Sequence, residues 1–197
     1  MAALQDGKPA SSVALPEDKK PVLRQLNLLT AKPVLYVANV EEENAATGNA
    51  LSAKVEAMAK EKGAACVVIS AAIEAEVAAL GDEEEKQLFL SDLGLEETGL
   101  TRVIRAGYAL LDLITFFTSG PKEVRAWTVH KGASAPEAAG AIHSDFERGF
   151  IRAETIAYDD FIACKGEQGA KDAGKMRMEG KAYIAKDGDI FHFRFNV

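Results

Sequence analysis

Cysteine, tryptophan and histidine are scarce in this sequence, which has two, one and three of them among 197 residues. Cys66 and Cys164 belong to no metal-ligand or redox spacing, so we interpret both as reduced structural thiols. His130, His143 and His192 are equally scattered and fit no ligand spacing. The sequence therefore predicts no metal site.

Long apolar runs are also missing, because no stretch approaches the roughly 18 residues that a membrane span requires. The amino-terminal residues lack the apolar centre of a signal peptide, so we expect a cytoplasmic protein with no membrane partner. The net charge is −7, and residues 1–113 carry 11 basic against 18 acidic side chains. This balance excludes a generally basic nucleic-acid binder and gives no reason to expect DNA specificity. A local basic face on the neutral second half stays possible.

The phosphate-loop motif G-x-x-x-x-G-K-[ST] has only a near match, "GAKDAGKM" at residues 169–176. Met176 stands where a hydroxyl must coordinate magnesium, and no apolar strand precedes the segment. Because both the metal ligand and the strand-to-helix context are missing, we reject it as a phosphate cradle.

The first half of the chain has the pattern of a βαβ unit with extra helices, after a loose or partly helical lead-in over residues 1–27. A strand is predicted at Val34–Ala38, a helix at Asn49–Lys62 closed by Gly63, and a second strand at residues 64–70. The continuous apolar run of the second strand is typical of a parallel sheet covered on both faces. Three further helices follow, and the last, Leu100–Asp112, carries an apolar stripe.

The second half is rich in β signals. A hairpin is predicted around residues 119–122, then a helix at Pro136–Arg148 and a strand in "GFIRAETIAY". In the last strand Phe191, Phe193, Phe195 and Val197 alternate with polar residues, so one face should enter a core. This order of elements is typical of a β-grasp, ubiquitin-like domain. The predicted fold class is therefore α/β followed by β-grasp.

Asn39, Val40 and Glu42 follow the first strand, at the place where open α/β sheets bind ligands. GTPases use Asn-Lys-x-Asp here to read guanine. In this chain Glu42 is a longer carboxylate and Val40 replaces the lysine, so the guanine-reading geometry should be lost. An asparagine amide can donate a hydrogen bond to the N7 of adenine and accept one from its N6 amine. The alternative is a polar turn followed by a solvated acidic run.

Ser70 and Ala71 lie at the end of the second strand, where nucleotide-binding α/β proteins present a hydroxyl and backbone N–H groups to the base. Taken alone, Ser70 is better explained as a helix N-cap. Because βαβ topology brings the ends of adjacent parallel strands together, we expect Ser70 and Ala71 to lie close to Asn39.

The segment at residues 164–181 combines glycines with five basic side chains and three acids. Such a surface can follow an RNA backbone through phosphate contacts, and a solvated helix and loop is the alternative. The candidate RNA contacts are Lys165, Lys171, Lys175, Arg177 and Lys181. His143 with Asp145 and Glu147 could suggest acid-base chemistry, but no nucleophile or oriented partner accompanies them. We therefore assign no catalytic residue.

Four long segments, "LNLLTAKPVLYVANVEEE", "GLTRVIRAGYALLDLITFFTSGPKEVRAWTV", "IHSDFERGFIRAETIAYDDF" and "KGEQGAKDAGKMRMEGKAYIAKDGDIFHFRFNV", resemble the carboxyl-terminal half of YchF-type Obg-like ATPases. The resemblance implies a P-loop domain that binds ATP in preference to GTP through Asn-x-x-Glu. It also implies a TGS domain of β-grasp form, with ribosome and RNA as partners. On this basis Asn39, Val40 and Glu42 would read the base, supported by Ser70 and Ala71.

The same resemblance divides the chain into the end of a helical insertion (1–27), the carboxyl-terminal part of the nucleotide-binding domain (28–113) and the TGS domain (114–197). The phosphate loop and magnesium ligands of the family are missing from these 197 residues, so we expect no ATP hydrolysis by this chain alone. Two hypotheses stay open. The chain is either part of a ribosome-associated ATPase that uses Mg-ATP or an interaction module that binds RNA or protein without a nucleotide.

Overall fold

The computed structural model describes residues 2–120 and 123–196. The chain divides into two compact units, residues 1–110 and residues 111–197. The first unit contains, in chain order, α1 (Ala2–Gln5), α2 (Lys20–Gln25), β1 (Leu35–Asn39), α3 (Ala50–Glu61), β2 (Ala65–Ile69), α4 (Ala71–Ala79), α5 (Glu83–Asp92) and α6 (Gly99–Leu110). Short 3-10 turns lie at Ala10–Ser12, Glu17–Lys19, Leu29–Ala31 and Glu42–Asn44. None of the described helices is long and apolar enough to cross a membrane.

Strands β1 and β2 run parallel in the predicted βαβ unit, and Leu35 pairs with Ala65 at one end and Asn39 with Ile69 at the other. Helix α3 connects them. The side chain of Asn49 accepts hydrogen bonds from the first turn of α3 in a capping box, and Gly63 follows the helix with a φ of +64°. Asparagine at an N-cap and glycine after the C-terminus are the local signals that favour these ends.

Strand β2 is less covered than its apolar run predicts. Every residue of Ala65–Ile69 has intermediate exposure, because β1 and β2 form a sheet of only two strands within the described residues. Helices α3 and α6 both pack against β2. The strand is therefore partly covered by helices, and it is not as fully buried as its apolar run suggested.

The core of the first unit is formed by α4, α5 and the loops beside them, and its buried side chains are Ala45, Ile73, Val77, Leu90 and Leu95. Helix α6 is attached to α4 by Glu74, whose carboxylate oxygens accept from the N–H groups of Gly99 (2.6 Å) and Leu100 (3.1 Å). The predicted apolar stripe of α6 does not enter this core, because Leu100 is 59% and Ile104 is 52% exposed.

The second unit contains β3 (Leu113–Ser119), β4 (Val124–His130), α7 (Ala135–Ile142), α8 (Ser144–Arg148), β5 (Phe150–Ala157), α9 (Tyr158–Ala163), α10 (Glu167–Asp172), β6 (Arg177–Glu179) and β7 (Asp189–Phe195). Its sheet has the strand order β4-β3-β7-β5-β6. Strands β3 and β7 are parallel, and the other neighbouring pairs are antiparallel. The first and last strands of the unit therefore lie side by side in the middle of a mixed sheet.

Phenylalanines fill the core between this sheet and α7. Phe116 and Phe191 are 0% and 1% exposed, with ring centroids 5.5 Å apart. Phe193 is buried as predicted, whereas Phe195 is 39% exposed and stacks on Phe146 at a centroid distance of 3.9 Å. Val197, predicted to continue this face, lies outside the described residues.

Of two local predictions for the second unit, the hairpin is confirmed and the single helix is wrong. The predicted hairpin forms between β3 and β4, where the Gly120 N–H donates to the Glu123 carbonyl (3.0 Å), but Pro121 and Lys122 lie outside the described residues. The single helix predicted at 136–148 was wrong, because the extended backbone of His143 (φ −161°, ψ 141°) divides it into α7 and α8.

Candidate nucleotide-base site and basic surface

The ends of β1 and β2 meet at one edge of the sheet. The Val40 N–H donates to the Ile69 carbonyl (2.8 Å), which extends the strand pairing by one residue. Beside this bond, the Asn39 Oδ1 accepts a hydrogen bond of 2.9 Å from the Ala71 N–H. The structure therefore brings Asn39, Val40, Ser70 and Ala71 together, as the parallel arrangement of the two strands requires.

The hydrogen bond from Ala71 orients the Asn39 amide. A backbone N–H can only donate, so the atom that receives it must be the amide oxygen. The Asn39 Nδ2 group, which carries two donor hydrogens, is then directed away from Ala71. The sequence suggested that this amide would both donate to and accept from a ligand. In the structure its oxygen already accepts a hydrogen bond from within the protein, so only the nitrogen of this exposed side chain is left as a donor.

Ser70 occupies the N-cap position of α4 but does not act as a side-chain cap. Its side chain accepts no hydrogen bond from the first turn, where the exposed Ala71 N–H is satisfied by Asn39 instead. Ser70 is only 2% exposed, and its Oγ has no hydrogen-bond partner among the described residues. A buried polar atom without a partner costs about 1–3 kcal/mol, so this hydroxyl requires an explanation beyond helix capping.

Glu42 and Val40 differ in their surroundings. Glu42 begins an exposed 3-10 turn, and its carboxylate forms no hydrogen bond or ion pair with a described residue. Glu41 and Glu43 lie on either side of it. Val40 is 8% exposed, so its side chain offers little surface to a ligand. The edge beside Asn39 is thus locally acidic and repels phosphate groups.

The segment at residues 164–181 is folded rather than a simple basic loop. It contains the whole α9–α10 turn, all of α10 and strand β6. The rejected phosphate-loop match at residues 169–176 lies here, and it begins inside α10 instead of after a strand. Lys165, Lys171 and Lys181 are exposed, whereas Lys175 pairs with Asp160 at 3.2 Å.

Arg177 is part of a polar network that the sequence did not indicate. Its guanidinium contacts Glu179 (3.1 Å) and the Tyr183 hydroxyl (3.4 Å), and it lies 3.8 Å from Asp189, which is 2% exposed. Although burial alone would lower the pKa of Arg177, its bonds to Glu179 and Tyr183 and the nearby Asp189 raise it. Arg177 therefore connects β6 to β7 inside the unit.

Tyr183 donates its hydroxyl hydrogen to Asp189 Oδ2 (2.8 Å), and the Lys186 N–H donates to the same oxygen (2.9 Å). Burial, together with the hydrogen bond and negative charge of Asp189, raises the pKa of Tyr183 to about 12. These contacts satisfy a carboxylate that would otherwise be buried without partners.

The histidines form no common site. His143 Nδ1 accepts from the Asp145 N–H (3.2 Å), so it caps α8. His130 and His192 lie on β4 and β7. Within residues 2–120 and 123–196, no group of three or more His, Cys, Asp or Glu side chains could hold a metal ion.

The family model YchF-GTPase_C, described as a protein of unknown function (DUF933), matches residues 113–196. Curated relatives named ribosome-binding ATPase YchF match nearly the whole chain. The Bacillus subtilis protein is 55% identical over 99% of this chain and 54% of its own length, and the Haemophilus influenzae protein is 56% identical over 100% and 54%. The chain thus spans about half the length of the curated relatives it matches.

Two solved structures are similar to the fold. The Schizosaccharomyces pombe YchF GTPase has a TM-score of 0.80 and 34% identity, covering 96% of this chain and 50% of the other. A GTP-binding protein from Pyrococcus horikoshii has a TM-score of 0.57 and 20% identity, covering 94% and 58%, and shows likeness of fold alone. From these similarities and the α/β architecture, the chain belongs to the YchF family and corresponds to its carboxyl-terminal half.

Proposed function

We propose that residues 28–113 form the base-recognising part of an ATP site. In this proposal the Asn39 Nδ2 donates to the purine N7, which is a hydrogen-bond acceptor. The Ser70 hydroxyl and the backbone at Ala71 form the adjoining wall, and Glu42 lies at the edge. The single observation that supports this most strongly is the buried, unpaired Ser70 Oγ next to an amide whose oxygen is already held by Ala71.

The two replaced residues of Asn-Lys-x-Asp remove the contacts that select guanine, so the proposed site should not favour GTP. Val40 is buried, so no long side chain can cover the base as a lysine stem does. The Glu42 carboxylate is one methylene longer than the aspartate that reads guanine. The acidic residues around it favour the base end of a nucleotide over its phosphates.

The names of the relatives support a role for the whole protein as an ATPase that associates with the ribosome. In this proposal its nucleotide is Mg-ATP and its location is the cytoplasm. The sequence carries no G-x-x-x-x-G-K-[ST] motif, so in this proposal the triphosphate and magnesium are bound by residues outside this sequence. We expect this chain alone not to hydrolyse ATP.

We assign residues 114–197 to a TGS domain of β-grasp form that contacts ribosomal RNA. The central parallel pair β3–β7 and the order β4-β3-β7-β5-β6 support this form. The contacts are assigned first to the exposed Lys165, Lys171 and Lys181. Lys175 and Arg177 already have internal partners, so their share in RNA binding is smaller.

The test of nucleotide binding uses a full-length YchF protein that carries these 197 residues. Calorimetric titration should show that Asn39→Ala weakens ATP binding about tenfold or more. This loss is expected because the purine N7 would stay buried in the site without its hydrogen-bond donor. The matched control is Asn44→Ala, which removes an asparagine amide from the adjacent turn and should leave affinity unchanged. Unchanged affinity in Asn39→Ala would instead favour an interaction module without a nucleotide role.

A further inference from the structure

A pocket of about 440 Å³ opens on the second unit, between β3, the start of α9 and the turn that precedes β7. Phe117 and Tyr158 provide its aromatic lining, and Asp159 and Asp187 provide its carboxylates. Because side chains alternate along a strand, Phe117 lies on the sheet face opposite the buried Phe116. The pocket is therefore separate from the phenylalanine core.

The two rings form a surface that a planar group can stack against. Their centroids are 5.9 Å apart with an angle of 37° between the ring planes. Tyr158 is 49% exposed although it contacts the sheet. An aromatic ring that stays half in solvent keeps much of its negative face available to a cation.

Neither carboxylate of the pocket is paired with a cationic side chain among the residues that the structure describes. Asp187 uses Oδ1 to accept the Thr115 N–H (2.8 Å), which fixes its side chain and leaves Oδ2 for another donor. Asp159 is exposed and forms no ion pair with any residue that the structure describes. The neighbouring Asp160, by contrast, is neutralised by Lys175.

We propose that this pocket binds an arginine side chain from a basic peptide segment of a partner protein. A guanidinium group is planar, stacks on aromatic rings and donates to carboxylates in pairs, so it matches both parts of the lining. The same two carboxylates repel the phosphates of RNA, which makes a protein segment the better occupant. The inference does not depend on the proposed nucleotide site.

The test measures peptide binding to the 197-residue chain by amide chemical-shift titration at low ionic strength, where surface charge interactions are least screened. The probes are an acetylated Gly-Arg-Gly-Arg-Gly peptide, its glutamate counterpart and a single-stranded oligouridylate. The test variant is Asp159→Asn with Asp187→Asn, in which an amide oxygen can still accept from Thr115. The control variant, Glu123→Gln with Glu167→Gln, makes the same change in net charge elsewhere on the unit.

We expect the arginine peptide to shift the amides around Tyr158 and Asp187 in the wild type, and the test variant to bind about fivefold more weakly or worse. The control variant should bind like the wild type. Three results would overturn the proposal: no shift at the pocket, equal weakening in both variants, or a pocket shift caused by the oligouridylate. Tyr158→Leu provides a second check, because loss of the ring should weaken binding while both carboxylates stay in place.

Discussion

The Asn39 side-chain oxygen accepts a 2.9 Å hydrogen bond from the Ala71 N–H, across 32 residues of sequence. This bond joins the end of β1 to the start of α4 and occupies the acceptor of the amide. What the amide can still offer a ligand is its Nδ2 donor. The chemistry of the proposed base site therefore follows from a contact within the protein.

Replacement of Asn39 by aspartate separates its structural role from its ligand role. Asn39→Asp keeps an oxygen that accepts the Ala71 N–H and removes the Nδ2 donor. We expect the thermal midpoint to stay near that of the wild type and ATP affinity to fall about tenfold, because an anion would face the N7 lone pair. Calorimetric titration and thermal unfolding of the full-length protein measure both quantities, and undiminished ATP affinity would contradict the assigned donor.

We expect alanine substitutions of the two buried serines of the first unit to affect stability differently. Ser52 is 4% exposed, and its hydroxyl bonds to both the Asn49 N–H (2.8 Å) and the Asn49 carbonyl (3.0 Å). Ser52→Ala should lower the free energy of unfolding by about 0.5–2 kcal/mol, the usual value of a cap. Ser70→Ala removes an unpaired hydroxyl, so it should leave that free energy unchanged or raise it by up to about 1 kcal/mol.

Urea denaturation of both variants provides the comparison, followed by ATP titration of Ser70→Ala in the full-length protein, where affinity should fall. If Ser70→Ala destabilised the chain as much as Ser52→Ala does, the hydroxyl would have an internal partner after all. Its assignment to the base site would then lose its main support.

We expect the folded chain to lose stability at alkaline pH because of Tyr183. Its pKa in the folded chain is about 12, above the ordinary 10.0, so folding favours the neutral phenol. The stability that this provides is fully present below pH 10 and is lost as the pH rises from 10 towards 12. Unfolding free energy should therefore fall more steeply over this range in the wild type than in Tyr183→Phe.

Tyrosinate absorbance after rapid pH jumps provides an independent reading, because the difference between the wild type and Tyr183→Phe should titrate near pH 12. Equal slopes of stability against pH in the two proteins would show that the bond to Asp189 does not perturb the phenol.

Charge reversal on the basic segment tests the ribosome proposal. A Lys165→Glu, Lys171→Glu, Lys181→Glu variant should co-sediment less with ribosomes and show a weaker dependence on salt, because fewer counterions are released on binding. Equal pelleting of variant and wild type would remove these lysines from the interface. The control reverses three exposed lysines of the first unit, namely Lys8, Lys32 and Lys54.

Much of the fold was predictable from local signals. Local sequence patterns, set by neighbours a few residues away, predicted three features. These are the two parallel strands, the helix between Asn49 and Gly63 and the alternating phenylalanines of the last strand. The proximity of Asn39 and Ala71 was predictable from topology, because parallel strands joined by one helix end at the same edge of a sheet. The orientation of the amide was not, since it depends on a single tertiary hydrogen bond.

The remaining differences arise where tertiary contacts override a local pattern. The helix predicted over 136–148 is divided at His143, where an extended backbone and a side-chain cap start a new helix. The basic segment was predicted as exposed charge, yet Arg177 is held by Tyr183 and Asp189, which are 6 and 12 positions further along. The periodicity of a sequence indicates which side of a helix is apolar. It does not indicate which element covers that side, as the exposed Leu100 on the apolar side of α6 shows.

The most direct test of the base site compares ATP with 7-deaza-ATP, which lacks the N7 acceptor, in a full-length YchF protein carrying these residues. We predict that the wild type binds 7-deaza-ATP about fivefold to tenfold more weakly than ATP, the value of one hydrogen bond. Asn39→Ala should bind the two nucleotides equally. Equal affinity of the wild type for ATP and 7-deaza-ATP would contradict the central claim that the Asn39 amide reads the purine.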